Sequence, residues 1–201
     1  MNNIKIYCAG PLFNNKEREE MQEIADVLEA NGFDVFLPHR DGFEFAKLST
    51  VIEEFIQSKK DTNLLLQKAI FTLDVYQVLS SDGLILNMNG RVPDEGAMVE
   101  AGIAWNAGKK IVIYKNDSRS LINGEDNPLL IGLSDFITIS DISNIPSCFE
   151  EIRTNQKNKA IDSSRLECLF NKGKSISTLT KLKDVKEICR KLIEIIGEAN
   201  N

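Results

Sequence analysis

The feature that most constrains how this chain folds is a strand, loop, helix, strand run at its centre. Gly83-Leu84-Ile85-Leu86-Asn87-Met88 reads as one apolar strand and Lys110-Ile111-Val112-Ile113-Tyr114 as another, with Gly90 to Gly102 between them. Two short apolar strands joined by a helical crossover form the βαβ unit of a parallel sheet. The loop and first turns of the crossover carry three carboxylates, Asp94, Glu95 and Glu100. They fall at the C-terminal end of the preceding strand, where open α/β sheets bind ligands.

The flanking sequence continues the pattern. Ile4 to Ala9 reads as a first strand stopped by Gly10-Pro11, with Leu12-Phe13 in the loop above it. Asn14 or Asn15 can cap a helix whose apolar stripe is Met21, Ile24, Ala25 and Leu28, opposite a charged face of Glu17, Arg18, Glu20 and Glu23. Gly32 ends that helix, and Phe33–Leu37 is a second strand closed by Pro38. Residues 43–58 are expected to be partly helical and mobile, with a charged interruption at Ser58–Asn63. A firm helix is expected from about 63 to 80, its apolar side marked by Ile70, Leu73, Val78 and Leu79. Phe136–Ile139 supplies a fifth strand. Five short apolar strands in βαβαβ progression predict a flavodoxin-like, doubly wound, five-stranded parallel sheet. The predicted organisation is an α/β domain over 1–145. A helical C-terminal extension over 146–201 would pack on that domain or on a neighbouring subunit. A helix in it carries Leu182, Val185, Ile188, Cys189, Leu192 and Ile196 on one face.

Composition narrows the function classes. At 201 residues the chain can bury a proper core, and a net charge of −6 gives no electrostatic reason to expect nucleic acid or an anionic membrane as partner. No apolar run approaches the roughly 18 residues of a membrane span. The N-terminus leads straight into a strand without the pattern of a signal peptide, so a cytoplasmic location is expected. Four cysteines stand singly and there is one histidine, a poor basis for a zinc site. Neither GxGxxG nor a Walker sequence is present.

The carboxylates differ in character. Glu100 lies in the first turns of a helix among Ala97, Ala101, Gly102 and Ala104, small residues that let a ligand come close. A helix N-terminal region favours an ionised carboxylate, which suits a nucleophile; spacing alone equally fits an exposed helical glutamate. Asp94 can be the N-cap of this helix. Asp74 interrupts an apolar helix face, where a carboxylate usually has a partner or a job. Tyr7, near the end of the first strand, points either into the core or up to the site.

Several segments together resemble the nucleoside 2-deoxyribosyltransferases. They are Tyr7-Cys8-Ala9-Gly10-Pro11-Leu12-Phe13, Leu37 to Gly42, Phe71-Thr72-Leu73-Asp74, Ser81-Asp82-Gly83, Asp94 to Gly102 and Gly108-Lys109-Lys110. The resemblance implies that Glu100 attacks C1′ of a deoxyribose to form a glycosyl-enzyme ester. It implies that Asp74 exchanges a proton with the leaving and incoming bases, and that Tyr7 orients the nucleophile. Asp94 would hold the sugar's 5′ hydroxyl, Phe13 would line the base pocket, and Gly10 and Asp41 would also meet the substrate. Asn127 matches an asparagine that members lend to a neighbouring subunit, which implies a homodimer or larger homo-oligomer with shared sites. No metal or organic cofactor is implied; the partners would be deoxyribonucleosides and free purine or pyrimidine bases. Relatives that hydrolyse nucleoside 5′-monophosphates carry a hydroxyl residue where this chain has Asp94, which favours nucleosides here. Ala97 stands where many members have a small hydroxyl residue, and the chain runs on well past the fifth strand. An N-glycoside hydrolase using the same carboxylates and a nucleoside-binding sensor are the rival expectations.

Overall fold

In the computed structural model of the protein, residues 3–42, 58–90, 93–117 and 126–154 are described, with isolated positions 49, 52 and 175. The chain divides into two compact units, Met1–Asn158 and Lys159–Asn201, and the elements below all belong to the first. The mobile segment expected over 43–58 and the amphipathic tail helix lie outside the described residues, Ser58 and those isolated positions apart.

The strands are β1 (Lys5–Ala9), β2 (Asp34–Phe36), β3 (Gly83–Asn87), β4 (Lys110–Tyr114) and β5 (Thr138–Ile139). They form one sheet in the order β2-β1-β3-β4-β5, with every pairing parallel. That is the doubly wound, flavodoxin-like order. The topological switch point falls between β1 and β3, and a ligand crevice is expected above it.

Helices cover both faces. Helix α1 (Asn15–Ala30) starts at a capping box in which Asn14 Oδ1 accepts from the Glu17 amide and the Glu17 carboxylate accepts from Asn14 N. Met21, Ile24, Ala25 and Leu28, at helical spacing, are fully buried against Ile6, Cys8, Ile85 and Val112. Gly32, at φ +78°, turns the chain out of the helix. A short helix α2 (Pro38–Asp41) follows β2. On the opposite face lie α3 (Lys59–Ser80) and α4 (Glu95–Asn106), which bury Val78, Ala97, Ala101 and Ala104 against Leu84, Leu86, Ile111 and Ile113.

Three expectations are corrected. The charged stretch Lys59–Asn63 is not an interruption but the first turn of α3, because Ser58 caps it through the Asp61 amide. Leu79 is not on the buried side of α3, being 47% exposed, and Leu66 is buried there instead. The fifth strand is only Thr138–Ile139, because Asp135 and Phe136 take left-handed φ values of 55° and 64° that turn the chain before it can pair.

After β5, α5 (Pro128–Ile131) having preceded it, the chain forms α6 (Ile145–Thr154). Helix α6 belongs to the first unit. Phe149 is fully buried, edge-on to Phe33 with ring centroids 6.2 Å apart. Arg153 stacks over the Phe33 ring at 4.5 Å and donates to Asn31 O at 2.6 Å. Among the described residues no helix is long and apolar enough to cross a membrane.

Candidate active site

The site is built from three elements that meet at the switch point. Helix α4 begins where Asp94 Oδ1 accepts from the Ala97 amide at 2.7 Å, so the capping role expected of Asp94 is the one seen. Glu95, next in the chain, is exposed. Ala97, Ala101 and Ala104 recur at i, i+4 and i+7 and hold this helix close to the sheet. Glu100 comes off the edge of that small-residue face.

Tyr7 answers a question the sequence leaves open. Its ring is fully buried and stacks on Phe36 at 5.6 Å, while its hydroxyl donates to Glu100 Oε1 at 2.7 Å. The side chain thus serves the core and the site at once. Burial, followed by the Glu100 charge, holds the phenol far above its ordinary range, so it stays a donor.

Glu100 itself departs from expectation. Burial pushes its carboxyl up to about 7, the Tyr7 hydrogen bond opposes that rise, and the charges of Asp74 and Asp94 add to it. The helix terminus does not keep it acidic, because Glu100 is the sixth residue of α4 and the dipole acts mainly within the first turn. Asp74 is half-buried on α3, and burial alone raises its carboxyl as well. Helix α3 packs on α4. Two carboxylates with raised affinity for protons therefore interact across a helix pair, with Tyr7 beneath one of them.

The other expected residues sit in loops and at the ends of short helices. Phe13 is 77% exposed in the loop that leaves β1. Gly10 is buried there, and a Cβ on it would stand 2.5 Å from Met21 Sδ and 2.9 Å from Asn87 Cβ, so close packing alone accounts for the glycine. Asp41 accepts from the Leu37 amide at 2.8 Å and pairs with Arg40 through both oxygens. Burial pushes its carboxyl up, but those bonds outweigh it and leave it below the ordinary range. Asn127 Oδ1 accepts from the Leu129 amide at 3.0 Å and caps α5, while its neighbour Asp126 pairs with Lys115.

Sequence reasoning assigned nothing to Asn87 and Asn89, and placed Glu20 on the charged face of its helix. In the structure Asn87 is fully buried, and both asparagines donate to the Glu20 carboxylate. An amide closing an otherwise apolar strand was the available signal. Among the described residues no cluster of three or more His, Cys, Asp or Glu side chains could hold a metal ion.

The sequence model of the nucleoside 2-deoxyribosyltransferase family matches residues 6–162. The chain belongs to that family. Among solved structures, a conserved protein from Enterococcus faecalis V583 superposes with a TM-score of 0.54 at 19% identity, over 75% of this chain and 99% of that one, and shares its fold. A 2-deoxyribosyltransferase from Bacillus psychrosaccharolyticus is 19% identical over 71% of this family member and 90% of itself, with a TM-score of 0.48. A CMP N-glycosidase from Clostridium botulinum is 16% identical over 73% of this chain and 98% of its own, with a TM-score of 0.41. No curated protein sequence matches the chain.

Proposed function

We propose that the protein transfers the 2-deoxyribosyl group between nucleobases through a covalent ester on Glu100. The hydrogen bond from a buried Tyr7 to Glu100 is the observation that carries this reading. It fixes one carboxylate oxygen and leaves the other to react.

In the proposed first step a Glu100 oxygen attacks C1′ from the face opposite the base, and the C1′–N bond breaks with its electron pair going to the base. A departing base anion is a poor leaving group, and a proton from Asp74 neutralises it; such general acid help is worth about 10²–10⁴-fold. In the second step a nitrogen of the incoming base attacks C1′, the ester bond breaks, Glu100 regains its charge and Asp74 takes the incoming proton. Two inversions retain the configuration, as in retaining glycosidases. The raised carboxyls suit both parts: Asp74 must carry a proton to act as acid, and Glu100, held near 7 rather than strongly acidic, is a more basic nucleophile that still ionises at neutral pH.

Asp94 would meet the 5′ hydroxyl with the oxygen not used in capping, and Phe13 would offer its exposed ring to the base. Asn127 would act in the site of a neighbouring subunit. Incubation with deoxyinosine and free adenine tests the reading, with deoxyadenosine as the expected product. Free deoxyribose as the sole sugar product would make the enzyme a hydrolase with water as acceptor. Retained nucleoside binding with no turnover of any base pair would leave a sensor.

A further inference from the structure

Strand β3 is apolar until its last residue, Asn87, whose side chain is fully buried. Its Oδ1 accepts from the Asn89 amide at 2.9 Å. Its Nδ2 therefore faces the other way, toward Glu20 Oε2 at 2.8 Å and Met21 Sδ at 3.5 Å. Asn89 repeats the arrangement: Oδ1 accepts from the Asn116 amide at 2.8 Å, and Nδ2 donates to Glu20 Oε1 at 2.8 Å. A backbone N–H thus fixes the orientation of each amide, and each must present donors to Glu20. A carboxylate, which only accepts, is the side chain that satisfies both. One α1 residue holds the end of β3 and the loop beyond it.

That loop leads to Asp94. Met88 N donates to Tyr114 O at 2.9 Å, Gly90 N donates to Asp117 Oδ2 at 3.2 Å, and Gly90 turns the chain at φ +124°. Four positions later Asp94 caps α4. We infer that Glu20 is a positioning residue for the sugar end of the site: through Asn87 and Asn89 it sets residues 87–90, from which the chain runs on to Asp94. The inference rests on the proposed contact between Asp94 and the 5′ hydroxyl.

Glu20→Gln tests it, because the isosteric amide turns one of the two bonds into a donor–donor clash. Adding Asn89→Asp reverses the polarity of that bond: the new carboxylate accepts from the introduced amide while still accepting from Asn116. Dissociation constants for 2′-deoxyinosine and 2′,5′-dideoxyinosine are measured by calorimetry in a Glu100→Ala background, and base exchange is measured without it. Glu20→Gln is expected to weaken deoxyinosine binding by about tenfold, to raise KM more than it lowers kcat, and to change binding of the 5′-deoxy compound less than about twofold. The pair Glu20→Gln/Asn89→Asp is expected to recover to within about threefold of the parent. Equal losses on the two nucleosides, no loss on either, or no recovery in the pair would overturn the inference. If Glu20→Gln alone does not fold, Asn89→Ala, which removes one of the two bonds and leaves Glu20 bound to Asn87, takes its place with the same selective loss on deoxyinosine expected. Binding without base exchange in the parent would sink the transfer reading instead. Equal parental affinity for the two nucleosides would remove the Asp94 contact and this inference with it.

Discussion

Tyr7 Oη and Glu100 Oε1 are 2.7 Å apart, a bond that joins the first strand to the fourth helix across 93 positions of sequence. Among the described residues it is the interaction on Glu100 that lowers its proton affinity, against burial and two neighbouring acids. Tyr7→Phe removes it and leaves the ring stack on Phe36. A hydrogen bond to a charged group is worth about 1.5–3 kcal/mol, so exchange should slow about 10- to 100-fold. The acid limb of kcat/KM, which the proposed role of Glu100 places near pH 7, should move to higher pH. A pH profile with the limb unmoved would detach Tyr7 from the proposed nucleophile.

The same carboxyl makes stability depend on pH. Folded Glu100 keeps its proton up to about 7, against an ordinary value of 4.5. Between those values the folded state binds more protons than the unfolded one, so this contribution is full below pH 4.5 and is lost as pH rises through 7. Glu100→Gln keeps an acceptor for Tyr7 and abolishes the titration. Its stability relative to wild type should rise by on the order of 2 kcal/mol between acidic and mildly alkaline pH. Urea unfolding at both ends of that range checks it, and parallel stability curves would count against a buried, proton-hungry Glu100.

Two glycines should respond in opposite directions. At Gly10 a methyl group meets Met21 Sδ, which can move, and Asn87 Cβ at 2.9 Å, which is fixed by β3. Gly10→Ala should cost about 1–3 kcal/mol. At Gly102 a Cβ has nothing within 4 Å, and Ala is the better helix former by roughly 0.8–1 kcal/mol. Gly102→Ala should stabilise the free protein. If it also lowers activity, the open space beside α4 is occupied by substrate or a second subunit during turnover.

Much of the sheet was legible because each strand is a short apolar run between turn signals, and α1 because Met21, Ile24, Ala25 and Leu28 keep helical spacing. Helix α6 was not. Ile145, Phe149 and Ile152 have the spacing of a buried face, but Phe149 acquires its meaning only from Gly83, whose missing side chain leaves room for the ring: a Cβ there would lie 2.9 Å from Phe149 Cε1. The pairing of α6 with β3 is a long-range fact that no local window contains. The site divides along the same line. Asp94 as a cap is a local statement and could be read, whereas Glu20 meeting Asn87 depends on α1 crossing the sheet near the end of β3. The raised carboxyl of Glu100 was missed for a related reason: helix position is visible in sequence, and depth of burial is not.

Asp94 caps a helix and is proposed to meet the substrate's 5′ end, and one substitution can separate the two. As N-cap it needs an oxygen acceptor for the Ala97 amide, which Asn supplies nearly as well; loss of charge at the helix start costs about 0.3–1 kcal/mol. Asp94→Asn should therefore fold with stability within about 1 kcal/mol of wild type. As the proposed partner of the 5′ end, however, the charge matters. Two like charges about 4 Å apart repel by about 4 kcal/mol at an effective dielectric constant of about 20. Screening that halved this would still leave a discrimination of more than about tenfold against a 5′-phosphate. Asp94→Asn should raise the ratio of kcat/KM for a deoxynucleoside 5′-monophosphate to that for the nucleoside by at least that factor. An unchanged ratio, with the protein folded, would mean that the 5′ end does not approach Asp94, and the choice of nucleoside over nucleotide would have to be made elsewhere in the site.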